Sequence, residues 1–309
     1  MRELVLLVPG LFLSSDAVTA LGTWRFATPR RLKGGWRAAF ARRLGRDDLA
    51  HANPASVVAA SAGLPSDTWL ATPLHLITGL TTLHLPAEGV LCLSAEEARE
   101  LAAGFASIFG NEGLVLHPLE DGSLLLSGLR DCAAETVDPA LLSAQAASQG
   151  LASAQPVGEG AASLRALMTE IEMWLHDLPL NLERERTGLP PIRSLWLWGG
   201  GVSAAPVARD RDRDSVSKLE GKSIEASTAL CVYTQDSWAR ACCGLSGIDC
   251  KPIDLCPEFF AGIAADLQRG ELSKLTLVNT DCAVSVCSGD RWRWWRPRRD
   301  ALSALTASV

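Results

Sequence analysis

The chain of 309 residues carries 29 Lys and Arg against 35 Asp and Glu, a net charge of −6 that excludes the broadly basic surface of a general nucleic-acid binder. Apolar residues make up 48%, enough for a sizeable core, and the length suits one large domain or two modest ones, read here as a core with an inserted subdomain. Nine cysteines, an odd number without regular spacing, exclude a disulfide framework and point to a reducing compartment.

Leu4 to Leu13 is apolar behind Arg2, but Glu3 and the Pro9-Gly10 pair argue against a signal-peptide core. Residues 3 to 9 have the length and continuous apolarity of an interior strand covered on both faces. No other apolar run reaches the roughly 18 residues that a bilayer span needs, so a soluble, cytoplasmic protein is expected. Between residues 22 and 50, Trp36, Phe40 and Leu44 recur every four residues and predict a helix with one apolar stripe. The many arginines form its wet side. They are a solvated face in the plain reading and a holder of an anionic ligand in the functional one.

From Trp69 to Leu129 short β-like runs surround a helix over about 95–109. Ser94 followed by Glu97 is its capping-box signature. Turn signals at Pro86 to Gly89, Asn111 to Gly113 and Asp121-Gly122 cut the strands, so residues 69–130 read as an inserted antiparallel α+β module. His75, His84 and His117 lie in it, without the spacing or the acidic and cysteine companions of a metal site. Residues 131–162, rich in Ala, Ser, Gln and Gly, read as a weak helix and a connection.

A helix over about 161–178 follows, with Leu164, Leu167, Met168, Ile171 and Leu175 on one face and Pro179 as its stop. Next come a polar turn with Asn181, Arg184 and Gly188, a double proline, the apolar strand around Trp196, and Gly199, Gly200 and Gly201. A strand running into glycines is how open α/β sheets place a ligand site. The plain alternative is a tight turn passing under a neighbouring helix. Asn181 and Arg184 are three apart and share a face in a helical turn, so the pair with the three glycine amides is the expected anion site.

The alternating run Arg209 to Asp214 reads as a solvated loop, and Gly221-Lys222-Ser223 fails as a P-loop because Val216 stands where a glycine is required. Strands over 228–234 and 273–280 with helices near 235–243 and 257–268 suggest a mainly parallel sheet that also holds the first strand and the Trp196 strand. The parent core is then 1–68 with 131–309. Cys242, Cys243, Cys250 and Cys256 are the densest cysteine group and lack zinc-ribbon spacing, so no metal ligand is assigned. Trp292, Trp294 and Trp295 interleave with arginines at the carboxyl end. They read either as an edge strand with outward arginines or as a docking surface for a protein partner.

The order Glu170, Met173, Leu175, His176, Pro179, Asn181, Arg184, Gly188, Ser194, Trp196, Trp198 and Gly199 to Gly201 resembles the RpfE-type regulatory proteins of bacteria. Thr72 to Leu76 and Leu93 to Ala98 also resemble that group, so the likeness covers most of residues 65 to 201. Over the glycine turn these proteins are similar in turn to archaeal-type cofactor-independent phosphoglycerate mutases. The resemblance implies an alkaline-phosphatase-like α/β fold. It also implies a metal-binding aspartate after the first strand, where this chain has Pro9-Gly10-Leu11-Phe12 and no carboxylate before Asp16. Leu178 and Arg193 stand where the group has histidine and usually asparagine, and no histidine follows His176.

The resulting expectation is a phosphoglycerate-mutase-like pseudoenzyme without metal centre or cofactor, binding or regulating through a small phosphorylated anion held by Asn181, Arg184 (or Arg186) and Gly199 to Gly201. Catalytic residues are not assigned. Two alternatives stay open: an active phosphomutase or phosphatase acting on a small phosphorylated acid, and an interaction module using the Trp and Arg tail.

Overall fold

The computed structural model describes residues 2–9, 23–25, 28–78, 83–86, 88–129, 132–142, 154–201, 229–253, 256–289 and 298–300. In chain order the first elements are β1 (Arg2–Leu7), β2 (Thr23–Arg25), β3 (Thr28–Arg31), α1 (Gly35–Arg43), α2 (Asp47–His51), α3 (Pro54–Ala62), β4 (Thr68–Leu74), β5 (Ile77–Thr78) and β6 (Leu83–His84). Then come α4 (Ala95–Phe109), β7 (Val115–Pro118), β8 (Leu124–Ser127), β9 (Ala134–Glu135), β10 (Val157–Gly158), α5 (Ala161–His176), α6 (Pro179–Arg186) and β11 (Ser194–Trp198). The last are β12 (Ala229–Thr234), α7 (Ser237–Leu245), β13 (Cys250–Lys251), α8 (Pro257–Arg269), β14 (Leu272–Val278), β15 (Cys282–Cys287) and β16 (Arg298–Asp300). None of the helices among the described residues is long and apolar enough to cross a membrane. The tail tryptophans, Asp16, the Arg209 to Asp214 run and Gly221 to Ser223 lie outside the described residues.

The chain forms two compact units, Met1–Ala50 with Ala208–Val309, and His51–Val207. The first unit holds a six-stranded sheet in the order β13-β12-β1-β14-β15-β3. β1 is parallel to β12 and β14, and β12 to β13, while β15 is antiparallel to both β14 and β3. Only β15 therefore runs against the other five, and the sheet is mainly parallel.

Alternation along these strands sorts their side chains onto two unlike faces. Leu4, Leu6, Leu275, Leu277, Val284 and Val286 point to one face and bury against Phe260 and Ile263 of α8. Laterally paired residues share a face, so Val5, Thr276 and Ser285 form a row on the other. The flanking rows there are Glu3 with Lys274, and Leu7 with Val278, Ala283 and Arg30. α1 covers part of this second face. Its apolar stripe is Trp36 and Phe40, with Ala41, while Leu44 caps the helix end. Trp36 meets Trp238 of α7 edge-on at 5.4 Å, and Phe40 lies 6.3 Å from the same ring.

The second unit holds a four-stranded antiparallel sheet in the order β11-β4-β8-β7. Here the structure corrects the sequence reading, because the Trp196 strand pairs antiparallel with β4, Trp196 opposite Thr72, and is not in the sheet of β1. Its five residues are all buried, the pattern that sequence reading assigns to a parallel interior strand. That burial comes from α5 packing on it and from the segment at Thr136 and Val137, which accepts the Trp196 Nε1–H at 2.8 Å and donates to Leu197. The unit bounds also differ from those drawn at 68 and 130. The antiparallel module does not close at β8, since β4 carries β8 on one side and β11 on the other.

Candidate functional site

The turn picked out by sequence lies in the second unit. Pro179 occupies the first turn of α6, and Asn181 and Arg184 share its inward face, 5% and 4% exposed. Asn181 Nδ2 donates to the carbonyls of Leu175 at 2.8 Å and Ile192 at 2.9 Å, and its Oδ1 accepts the Ile192 amide at 2.7 Å. Both hydrogens of the amide and one oxygen lone pair therefore tie the end of α5 to the start of β11.

Arg184 Nε donates to the Pro190 carbonyl at 2.9 Å, and Nη1 ion-pairs with Glu97. Glu97 lies in the capping box of α4, where its other carboxylate oxygen accepts the Ser94 amide at 2.8 Å and Ser94 Oγ accepts the Glu97 amide at 3.1 Å. Burial pushes the Glu97 carboxyl up, but the Ser94 amide and the Arg184 charge outweigh it and hold the group below its ordinary value. The local carboxylates are used elsewhere, Glu183 by Arg186 and Glu185 by Arg193.

The three glycines meet protein at close range. Gly199 takes φ 66°, and its carbonyl accepts the Ala55 amide at 2.9 Å, satisfying a free N–H at the start of α3. A Cβ on Gly200 would stand 2.5 Å from the Trp69 indole and 2.7 Å from the Thr68 carbonyl oxygen. Glycine is required there because a ring lies against the backbone. The histidines of this unit have separate surroundings: His75 Nδ1 lies 3.0 Å from the Pro191 carbonyl, and His117 Nε2 lies 2.8 Å from Ser127 Oγ. Among the described residues no three His, Cys, Asp or Glu side chains converge as metal ligands.

A different concentration of charge lies in the first unit, beneath α1 on the second face of the six-stranded sheet. A cavity of about 440 Å³ has Val5, Thr276, Val278 and Ser285 among its lining. Arg30, Arg31, Lys33, Arg42, Arg43 and Lys274 contribute the charge. Thr276 is 6% exposed, and its hydroxyl lies 3.1 Å from that of Ser285, a polar pair in an apolar setting. Arg42 is held in place, with Nε donating to the Ala38 carbonyl at 3.0 Å and Nη2 to that of Lys33 at 2.9 Å.

Among the described residues the carboxylate paired with this group is Glu3, which Arg43 and Lys274 share. Arg30, Arg31 and Lys33 have no ionic partner there. The described lining has no His, Cys, Asp or Glu to serve as general base or acid. The chemistry on offer is charge, hydroxyl hydrogen bonding and apolar contact. In the sequence only the basic run from Arg30 to Arg43 signals this place. Lys274 reaches it because β14 lies between β1 and β15, which sequence spacing does not reveal.

No family model matches the chain, and no curated protein matches it. Among solved structures it is similar to the PH0037 protein from Pyrococcus horikoshii, at 9% identity and TM-score 0.40, over 93% of this chain and 87% of that one. It is also similar to a cofactor-independent phosphoglycerate mutase from Thermoplasma acidophilum, at 14% identity and TM-score 0.35, over 100% of this chain and 95% of that one.

Proposed function

We propose that this protein is a phosphoglycerate-mutase-like binding or regulatory protein, and that it holds a small phosphorylated anion in the basic cavity beneath α1. The observation that carries the reading is the imbalance there, six cationic side chains around one cavity with Glu3 as their carboxylate among the described residues. Guanidinium groups suit phosphate because they present paired donors, and apolar walls raise the local field. Asn181, Arg184 and Gly199 to Gly201 then serve as fasteners, consistent with their internal hydrogen bonds and close packing.

Among the described residues no three His, Cys, Asp or Glu side chains converge, so those residues alone do not make up a metal centre of the mutase kind. β1 runs into Val8 and Pro9, which offer no ligating side chain. Asp236, after β12, accepts the Ala239 amide at 2.8 Å as the cap of α7 and lies 3.7 Å from Arg37 Nη2. Recognition rests on the cations and hydroxyls of the cavity.

Calorimetric titration with inorganic phosphate and 3-phosphoglycerate tests this. The wild type should bind one of them at millimolar concentration or tighter. Arg30→Glu combined with Lys33→Glu should weaken it by about ten-fold or more, equal to about 1.4 kcal/mol. Added salt should weaken binding too, because most of these cations face water. No binding of either probe, equal binding by the variant, or turnover of 3-phosphoglycerate would each overturn the reading.

A further inference from the structure

The cavity beneath α1 has a floor as well as a charged rim. On the sheet face it occupies, Val5, Thr276 and Ser285 form one row, and Val278, Ala283 and Arg30 belong to the next. The two rows are two residues apart along the strands, roughly 6.5 Å. The row on the other side carries Glu3 and Lys274, and Glu3 answers both Lys274 and Arg43. Unanswered charge therefore sits at the Arg30 end, where Arg30 and Lys33 are exposed and without ionic partners among the described residues.

At about 440 Å³ the cavity falls among pockets that take whole small molecules, roughly 300–1,000 Å³. A bare phosphate would leave most of it unfilled. The uncharged polar side chains of the described lining are Thr276 and Ser285, with their hydroxyls 3.1 Å apart. Each hydroxyl has one O–H and two lone pairs. Their mutual bond uses one O–H and one lone pair, and among the described residues neither side chain has another partner. What remains can both donate and accept, which suits a hydroxyl group. An ionised phosphate or carboxylate oxygen only accepts and could use just the one O–H left. Valine has the shape of threonine and would fill the place beside Val5 and Val278 without burying a polar atom, so packing gives no reason for the hydroxyl.

We propose, on the reading that this cavity takes a phosphorylated anion, that the ligand is a phosphate monoester of a polyol. Its phosphate is held by Arg30 and Lys33, and a hydroxyl of its body sits on the Thr276 and Ser285 pair. The cations supply affinity, and the hydroxyl pair supplies the discrimination.

Calorimetric titration of the whole chain with glycerol 3-phosphate and with propyl phosphate separates these contributions, because the probes share a phosphate and a propyl skeleton and differ in their hydroxyls. The wild type should prefer glycerol 3-phosphate by about five-fold or more, the discrimination that one or two neutral hydrogen bonds provide. Thr276→Val combined with Ser285→Ala should bring the ratio of the two affinities to within about two-fold. Added salt should weaken both probes and leave the wild-type ratio, since screening acts on the cations and not on the hydroxyls. Thermal melting reports whether the variant is folded; should it not be, the wild-type ratio decides alone. Both probes bound equally by the wild type, or the preference kept in the folded variant, would overturn the polyol assignment while leaving the anion site standing. Neither probe bound at millimolar concentration would overturn the anion reading and the polyol assignment together.

Discussion

Two regions of this molecule gather arginine beside a turn, and they use it in opposite ways. Around α6 the Arg184 guanidinium is 4% exposed, its charge is met by Glu97, and its Nε is held by the Pro190 carbonyl. Beneath α1, Arg30, Arg31 and Lys33 are exposed and have no ionic partner among the described residues. A buried charge must be matched by the protein itself, because desolvation costs several kcal/mol per ion, on the order of the Coulomb energy it would gain. An unmatched cation must stay wet, and it is therefore available to something arriving from solvent. Exposure together with the partner ledger separates a fastener from a binding group, and residue type alone does not.

The strongest way to break this comparison is Arg184→Met. It leaves Glu97 partly buried without its partner and should cost about 3–5 kcal/mol in urea unfolding, with phosphate affinity of the folded protein unchanged. Stability retained with phosphate affinity lost would reverse the two roles. Gly200→Ala comes next, at about 1–3 kcal/mol, since the added carbon meets the Trp69 ring and overpacks the turn. Gly188→Ala is its control. Gly188 has open space around it and φ 78°, so only backbone strain of about 1 kcal/mol is expected. Equal losses in the two variants would remove the packing explanation for the glycine turn.

The smallest effect sharpens the contrast within the second unit. Glu97 is held below its ordinary value, so it contributes stability above that value and loses it as pH falls through the lowered one. Glu172 behaves in the opposite sense: burial pushes its carboxyl up. Its contribution is present below the ordinary value and is lost as pH rises through the raised one. Denaturation midpoints from about pH 3 to 7 should show Glu97→Gln flattening the loss on the acid side and Glu172→Gln removing the fall that accompanies rising pH. The pH-dependent part of each change should stay under about 1 kcal/mol because both carboxylates are partly wet, while Glu97→Gln also lowers stability at every pH by leaving the buried Arg184 without its partner.

The elements were legible because burial imposes periodicity on the sequence. Ser94 and Glu97 announced the start of α4, and the leucine face with Pro179 announced the extent of α5. The apolar run after Arg2 announced β1, which does lie in the interior of a mainly parallel sheet. Partners were less legible, since periodicity reports that a face is covered and does not say by what. SLWLW is equally apolar whether its strand joins β1 or β4. Arg184 finds its carboxylate 87 residues away, not in the neighbouring Glu183 or Glu185.

By itself, then, the sequence determined where β1, α1, α4 and α5 lie, since local propensity, capping and hydrophobic period act within a few residues. α3 went unmarked, and the polar turn at Asn181 is the helix α6. Only the tertiary structure decided which sheet each strand enters, which arginine is neutralised and which remains open. It also decided that Lys274 faces the charges of β3 and α1. Each of those outcomes depends on the return of distant chain segments to one place, where desolvation and charge pairing are settled jointly.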